Sequence, residues 1–94
     1  MRIEGFIWLE EIVEKIARKH NVQVHEAEQV FQNLPKFRFV EKGYQEGEDV
    51  YSALGRTDAG RYVIVFFVHK LDGRALPVTA RDMTSAERRI YGRN

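Results

Sequence analysis

The sequence predicts one α+β domain, residues 1–94, in which two helices precede a four-stranded antiparallel meander and a third helix follows it. Three observations support this class. Apolar residues recur at helical spacing in the first third of the chain, and after Pro35 they alternate or run without a break. The turns in the second half are too short to contain a crossover helix, so the strands they join are antiparallel. We expect the helices to pack on one face of the resulting sheet.

The first predicted helix begins near Trp8. Trp8, Ile12 and Ile16 are four residues apart and lie on one apolar stripe. Acidic residues occupy the first turn and basic residues the last turn, as the helix dipole favours. Asn21 tolerates a left-handed conformation and is predicted to end the helix.

A second, shorter helix is predicted over residues 24–32. Ala27, Val30 and Phe31 are at helical spacing and are expected to face inward. Pro35 cannot continue a helix and therefore marks the end of this one.

Four strands are predicted after Pro35. The first, residues 37–40, is short and alternating, and the second covers residues 51–56. The next turn ends at Gly60, which can adopt the positive φ that such a turn requires. The stretch "RYVIVFFVH" follows, and its unbroken apolar run predicts a central strand buried on both faces.

The fourth strand shows alternation and a proline. Leu76, Val78 and Ala80 are apolar and alternate with Pro77, Thr79 and Arg81. Because proline has no amide hydrogen, this strand is expected at an edge of the sheet or with a bulge.

The stretch "TARDMTSAERRIYGR", residues 79–93, contains the end of that strand and the last helix. Thr84-x-x-Glu87 is a capping box that predicts a helix beginning at Thr84, and Gly92 is expected to end it. Arg88 and Arg89 then lie on the helix, where they are either solvated surface or a contact for a partner.

The composition limits the possible classes of function. The chain has no cysteine, so disulfide and thiolate chemistry are excluded and a reducing cytoplasm is favoured. Acidic residues interrupt the N-terminus, so no signal peptide is expected, and the longest apolar run, residues 62–68, is too short to span a membrane. The net charge of +1 is unevenly distributed, because residues 1–50 have 7 Lys/Arg against 10 Asp/Glu and residues 51–94 have 8 against 4.

Arginines are expected to gather at one end of the strands, along the same side of the sheet. The second and fourth strands of a meander run the same way, so Arg56 and Arg81 at their ends share an edge with Arg61 at the start of the third. This edge adjoins the N-terminus of the last helix, which favours an anion such as phosphate. The alternative is that these arginines form surface ion pairs with the nearby carboxylates Asp58, Asp82 and Glu87.

The sequence "KHN" at residues 19–21 is a second candidate. Histidine is a residue type that often transfers protons, so His20 is a candidate for proton transfer, and Lys19 can bind a phosphate. Both residue types are also favoured at the C-terminus of a helix, so a structural interpretation remains open.

Trp8 and the pair His25 and Glu28 are further residue types that can contact a ligand. Trp8 lies at the start of a helix, so it is a candidate for stacking on a base, with core packing as the alternative. His25 and Glu28 are three residues apart on a helix, but no second such pair exists, and no metal site is predicted.

Three segments together resemble one known family. "W…RKHNV…HEAEQVF", "ALGRTDAGRYVIVFF" and "TARDM…AERRIYG" are similar in order and spacing to the BrnT family of type II toxins, from about Phe6 to Gly92. The resemblance implies the small α+β fold of RelE/ParE toxins. It also implies a cytoplasmic, ribosome-independent and metal-independent ribonuclease that arrests growth. Its partners would be RNA and a ribbon-helix-helix antitoxin, BrnA, through which alone it would contact operator DNA; no cofactor and no membrane are implied.

The resemblance also implies roles for individual residues. Lys19, Arg56 and Arg81 match family motifs: Arg56 and Arg81 would hold the phosphate, and Lys19 or His20 would transfer protons or add a cation. The residues expected to contact RNA are Trp8, Arg61, Arg88 and Arg89.

The chain departs from the family pattern at several positions. Leu9 and Ile16 stand where the family has Asp and Asn, Asn21 stands where it has Gly, and Pro77 lies in the edge strand. Two other functions therefore remain open. One is a toxin-fold protein that acts by binding a target such as a topoisomerase, and the other retains only an antitoxin or DNA-complex role.

Overall fold

The computed structural model describes residues 1–93 and has the predicted order of elements. The α+β class, with two helices, four strands and a final helix, is confirmed. The sheet has the order β1-β2-β3-β4 with each neighbouring pair antiparallel. No helix in this part of the chain is both long and apolar enough to cross a membrane. The elements are α1 (Glu10–His20), α2 (Val24–Gln32), β1 (Lys36–Glu41), β2 (Val50–Arg56), β3 (Tyr62–His69), β4 (Ala75–Asp82) and α3 (Ser85–Tyr91).

One face of the sheet is covered by α1 and α2. α1 packs over β4, and α2 packs over β2 and β3. Ile16 of α1 and Ala27 and Val30 of α2 are fully buried there, as their helical spacing predicts. The remaining fully buried members of this cluster are Val22, Ala53, Val63, Val65, Phe67, Ala75 and Ala80.

The opposite face is covered in part by α3. Leu54 of β2, Ile64 of β3 and Met83 are buried in a second cluster, against which Ile90 and Tyr91 pack. The expectation that all helices pack on one face is therefore wrong. The reason lies in β3, whose apolar residues point alternately to both faces, so both faces need a cover.

β4 is an edge strand with a bulge, and both properties predicted from Pro77 are confirmed. The register passes from Phe66↔Thr79 to Phe67↔Pro77, so Val78 is the extra residue. The bulge reverses the phase of the alternation, and Pro77 is buried while Leu76 and Val78 are only half-buried. The expectation that Leu76 and Val78 share the face of Ala80 is thus wrong for the part of the strand before the bulge.

The helix ends agree with the local sequence signals. Asn21 has φ 54°; its amide donates to the carbonyl oxygen of Ala17, and the amide of Val22 donates to that of Ile16. Thr84 and Glu87 form the predicted capping box; the amide of Gly92 donates to the carbonyl oxygen of Arg88, and the amide of Arg93 donates to that of Ile90. Lys36 of β1 adds a cap from outside the helix, since its Nζ donates to the carbonyl oxygens of Ile90 (2.8 Å) and Arg93 (2.6 Å).

Gly55 lets α2 approach β2 closely. A Cβ at this position would lie 3.0 Å from the carbonyl oxygen of Val30 and 3.1 Å from its Cγ1. Val30 is fully buried, so it cannot move aside without disturbing the core.

Gly55→Ala is therefore expected to lower the free energy of unfolding by about 1–3 kcal/mol, the usual cost of overpacking. Urea unfolding followed by circular dichroism measures this change. Gly92→Ala is the matched control, because a Cβ there meets its nearest atom at an ordinary 3.4 Å and φ is −76°. An equal loss in both variants would contradict the close-approach explanation.

Candidate functional site

An open cleft of about 540 Å³ lies where the β2–β3 turn meets the end of α3. Here Arg56, one of the predicted arginines, lies beside Asn33, which follows α2, and Tyr91 of α3. The lining of the cleft consists of Asn33, Arg56, Thr57, Asp58, Gly60 and Tyr91.

The turn beneath this cleft is fixed by hydrogen bonds. Gly60 has φ 92°, and its amide donates to the carbonyl oxygen of Thr57 (2.9 Å). Asn33, just after α2, donates from Nδ2 to the carbonyl oxygen of Arg56 and to Oδ1 of Asp58, both at 2.9 Å. The end of α2 therefore holds the turn, and Asp58 keeps its second carboxylate oxygen available.

Two guanidinium groups meet on one aromatic ring beside the cleft. The Cζ of Arg56 lies 4.8 Å from the centroid of the Tyr62 ring, and the Cζ of Arg88 lies 4.0 Å from it. Tyr91 contacts the same ring edge-on, with centroids 6.2 Å apart. Neither arginine forms an ion pair with a carboxylate within residues 1–93. Arg56 lines the cleft and Arg88 lies beside it on the same ring, so two cations without a carboxylate partner in residues 1–93 make this cleft a favourable place for an anion.

Arg81 lies on the same face of the sheet but is already paired. Its Nη1 and Nη2 donate to the two carboxylate oxygens of Glu87 at 2.8 and 3.0 Å. Its guanidinium lies over Phe66, and Phe66 is four residues from Tyr62 on β3, or roughly 13 Å along the strand. The pair raises the pKa of Arg81, and the hydrogen bonds from Arg81 are the main cause that lowers the pKa of Glu87.

Arg61 points to the opposite face and joins four segments. Its Nε donates to Asp82 (2.7 Å), and its Nη2 donates to the carbonyl oxygen of His20 (2.9 Å). Nη1 reaches the carbonyl oxygen of Asn21 and the carboxylate of Glu26. The hydrogen bond to Asp82 is the main cause that raises the pKa of Arg61. This side chain fastens the end of α1 and the start of α2 to the sheet.

Lys19 and His20 do not line the cleft. They form the last turn of α1, on the face of the sheet away from Arg56, with Lys19 exposed and His20 half-buried. Arg89 is exposed on α3 and also lies outside the cleft lining.

Trp8 is half-buried, and its Nε1 donates to Oε2 of Glu28 at 2.8 Å. Its ring packs against the core beside Phe6, with centroids 6.3 Å apart. The bond to Glu28 also engages one of the two residues considered for metal binding. Across residues 1–93, no three His, Cys, Asp or Glu residues come together as metal ligands would.

The structure thus divides the predicted site. It brings Arg56 together with Arg88, whereas Arg81 and Arg61 lie at the same end of the sheet but bind carboxylates. Asn33 and Tyr91 are not among the site residues predicted from the sequence. A signal was present, because Arg88 and Tyr91 are three residues apart and therefore share a face of α3.

Comparison with known proteins identifies one family. Residues 8–87 match the model of a family described as "Ribonuclease toxin, BrnT, of type II toxin-antitoxin system". A search of curated proteins gives no match. The matched range includes Arg56, Tyr62 and Arg81 and ends just before Arg88.

The Glu87–Arg81 pair predicts a pH dependence of stability. The pKa of Glu87 is below its ordinary value of 4.5 in the folded protein, so its contribution is complete above that value and is lost as the pH falls through the folded pKa. We expect Glu87→Gln to lower the free energy of unfolding by about 1–2 kcal/mol at pH 7, and the difference from the wild type to shrink toward pH 3.

Urea unfolding at several pH values between 7 and 3 measures this difference. Glu46→Gln is the control, since Glu46 is exposed; its free energy of unfolding should change with pH as that of the wild type does. A Glu87→Gln difference that stays constant down to pH 3 would contradict the assignment.

Proposed function

We propose, since this chain belongs to the BrnT family of ribonuclease toxins of type II toxin–antitoxin systems, that the cleft at Arg56 binds and cleaves RNA without a metal ion. The observation on which this rests is the pair of guanidinium groups of Arg56 and Arg88 on the ring of Tyr62. The family supplies the class of reaction, and this pair supplies the cationic site that the reaction needs.

The proposed reaction is an internal phosphoryl transfer. The 2′-oxygen of a ribose forms a bond to the adjacent phosphorus, and the bond from phosphorus to the 5′-oxygen breaks. The 2′-proton passes to a base, and an acid protonates the leaving 5′-oxygen, so the products are a 2′,3′-cyclic phosphate and a 5′-hydroxyl. Negative charge accumulates on the phosphoryl oxygens, and preorganised cations that face it lower the barrier. Arg56 and Arg88 take this role.

We assign proton transfer to Asp58 and Tyr91, because they are the titratable residues besides Arg56 that line the cleft. Oδ1 of Asp58 accepts from Asn33, which orients the carboxylate and leaves Oδ2 to act as the base. The hydroxyl of Tyr91 acts as the acid. These two replace Lys19 and His20 in the assignment, since those residues lie on the other face of the sheet.

Arg81 acts as a positioning residue in this scheme. Through Glu87 it holds the first turn of α3, the helix that presents Arg88 and Tyr91 to the cleft. Arg61 does the same for α1 and α2. Trp8 and Arg89 lie outside the cleft lining, so any contact with RNA would involve parts of the strand beyond the scissile phosphate.

A type II system includes an antitoxin, and the family therefore implies a protein partner as well as an RNA target. We propose that the antitoxin has a ribbon-helix-helix domain and that the toxin reaches operator DNA only through it. Free toxin would degrade RNA and arrest growth, and the complex would be inactive.

Arg56→Ala is expected to slow cleavage of bulk RNA by the purified protein about 10²- to 10³-fold, the effect of removing one preorganised donor from a charged transition state. The assay is run in EDTA, with gel analysis of the products. Arg18→Ala is the matched control, an exposed arginine of α1 away from the cleft, and it should cleave at the wild-type rate.

Other outcomes would assign the function differently. Cleavage by the wild type only when Mg²⁺ is added would contradict metal independence. RNA left intact under both conditions would favour a toxin that acts by binding. Full activity in Asp58→Asn and Tyr91→Phe, with loss in His20→Ala, would return proton transfer to the end of α1.

A further inference from the structure

The two edge strands of the sheet, β4 and β1, differ in how far they can pair with a further strand. At the β4 edge, residues 4–7 pair with the strand through a parallel bridge between Phe6 and Ala75. Lys15 donates from Nζ to the carbonyl oxygen of Val78 (2.6 Å), and Pro77 has no amide hydrogen to offer. The first half of this edge, residues 75–78, is therefore closed to another strand.

The β1 edge is open. β1 pairs with β2 on one side, and within residues 1–93 no backbone hydrogen bond from residues 36–41 reaches any other segment. The register is regular from Lys36 to Phe39, and the bulge lies at Val40. An unpaired edge of this kind is a template for another extended chain.

Exposed apolar side chains are concentrated along this edge. Phe39 is 57% exposed, and Leu34, just before β1, is 90% exposed in a left-handed conformation with φ 52°. A leucine in that conformation is uncommon, and it is strained by about 1–3 kcal/mol. Val40, at the bulge, is also exposed. Three of the large exposed apolar residues thus lie along this edge.

The α2 side of β1 continues an aromatic layer from the core. The rings of Phe37 and Tyr51 contact buried Phe67, at 5.9 and 6.2 Å between centroids, and Phe39 contacts Tyr51 at 5.9 Å. A groove of about 610 Å³ beside Phe31 and Phe37 extends this surface beyond the start of the strand. A further strand would place its apolar side chains on Phe37 and Phe39.

The α3 side of β1 has two cations before the bulge, Lys36 and Arg38, and the carboxylate of Glu41 after it. Arg38 points to this face, is exposed and has no ion pair with a carboxylate of residues 1–93. Lys36 shares the face, although its ammonium group is bound to the end of α3. A second, antiparallel copy of β1 centred on Phe37 or Arg38 would bring a further cation beside Arg38, whereas a strand with carboxylates on this face would neutralise it.

We propose that the β1 edge binds an extended segment of a partner protein in which apolar residues, facing Phe37 and Phe39, alternate with acidic residues facing Arg38. Backbone hydrogen bonds to β1 supply the affinity, and the alternation supplies the specificity. We identify this partner as the antitoxin, and that identification rests on the proposed function. The surface itself is separate from the cleft of Arg56.

The test is a titration of ¹⁵N-labelled protein with the peptide acetyl-Val-Glu-Val-Glu-Val-Glu-Val-amide, followed by amide chemical shifts up to about 1 mM peptide. We expect shifts confined to residues 34–44 and their neighbours on β2. Arg38→Glu should weaken binding about three- to tenfold, because an attractive cross-strand pair becomes a repulsive one. The same peptide with Lys in place of Glu should show the reverse preference, binding Arg38→Glu more tightly than the wild type.

Arg18→Glu is the matched control and should bind both peptides as the wild type does. A misfolded Arg38→Glu variant could lose binding of the Glu peptide, but it could not gain binding of the Lys peptide. The gain therefore shows that the variant is folded. No shift at 1 mM, or shifts located at the cleft, would overturn the proposal. Concentration-dependent shifts at β1 without peptide would assign the edge to a second copy of this chain and overturn it as well.

RNA cleavage, measured on the same samples, keeps the two proposals apart. Cleavage without peptide binding contradicts only the docking surface, and peptide binding without cleavage contradicts only the ribonuclease site. The antitoxin assignment has its own test in cells that express this chain together with the neighbouring open reading frame. Arg38→Glu should restore growth arrest there, and neutralisation equal to that of Arg18→Glu would overturn the assignment.

Discussion

The rest of the structure depends on the apolar run of β3, which has no polar face to turn toward water. A strand of this kind must be interior in its sheet and covered on both sides. The N-terminal helices cover Val63, Val65 and Phe67, and α3 covers Ile64 on the other side. The position of α3 follows from this need, and α3 in turn supplies Arg88 and Tyr91 to the cleft. Burial of one strand therefore brings the second half of the candidate site into place.

Much of the fold could be predicted because its signals are local. The stop at Asn21, the turn at Gly60 and the capping box of Thr84 and Glu87 each depend on residues within a few positions of one another. The edge position of β4 also followed from a single residue, Pro77. Pro77 also indicated a bulge, but the residue at which it lies depends on how β3 and β4 fit together, so the faces of Leu76 and Val78 could not be predicted from the alternation of β4 alone.

The candidate site was predictable only in part, since it depends on which side chains find partners. Arg56, Arg61 and Arg81 have the same chemistry in the sequence and are indeed at one end of the sheet. Their environments differ because pleating sends Arg61 to the other face, and because Glu87 lies within reach of Arg81 but not of Arg56. The sequence predicts the helix cap of Glu87 because that cap is local. The two hydrogen bonds that Glu87 accepts from Arg81 depend on where α3 packs, which the local sequence does not give.

Lys36 makes the last turn of α3 depend on a strand more than fifty residues earlier in the chain. α3 has seven residues, none of them fully buried, and so short a helix is not stable alone in water. Its free energy of local opening is consequently low compared with that of the sheet. When α3 opens, Arg88 and Tyr91 leave while β2 keeps Arg56 where it is. One side of the cleft is fixed by the sheet, and the other is present only while α3 is folded. The fraction of molecules with a complete cleft is therefore set by the opening equilibrium of α3.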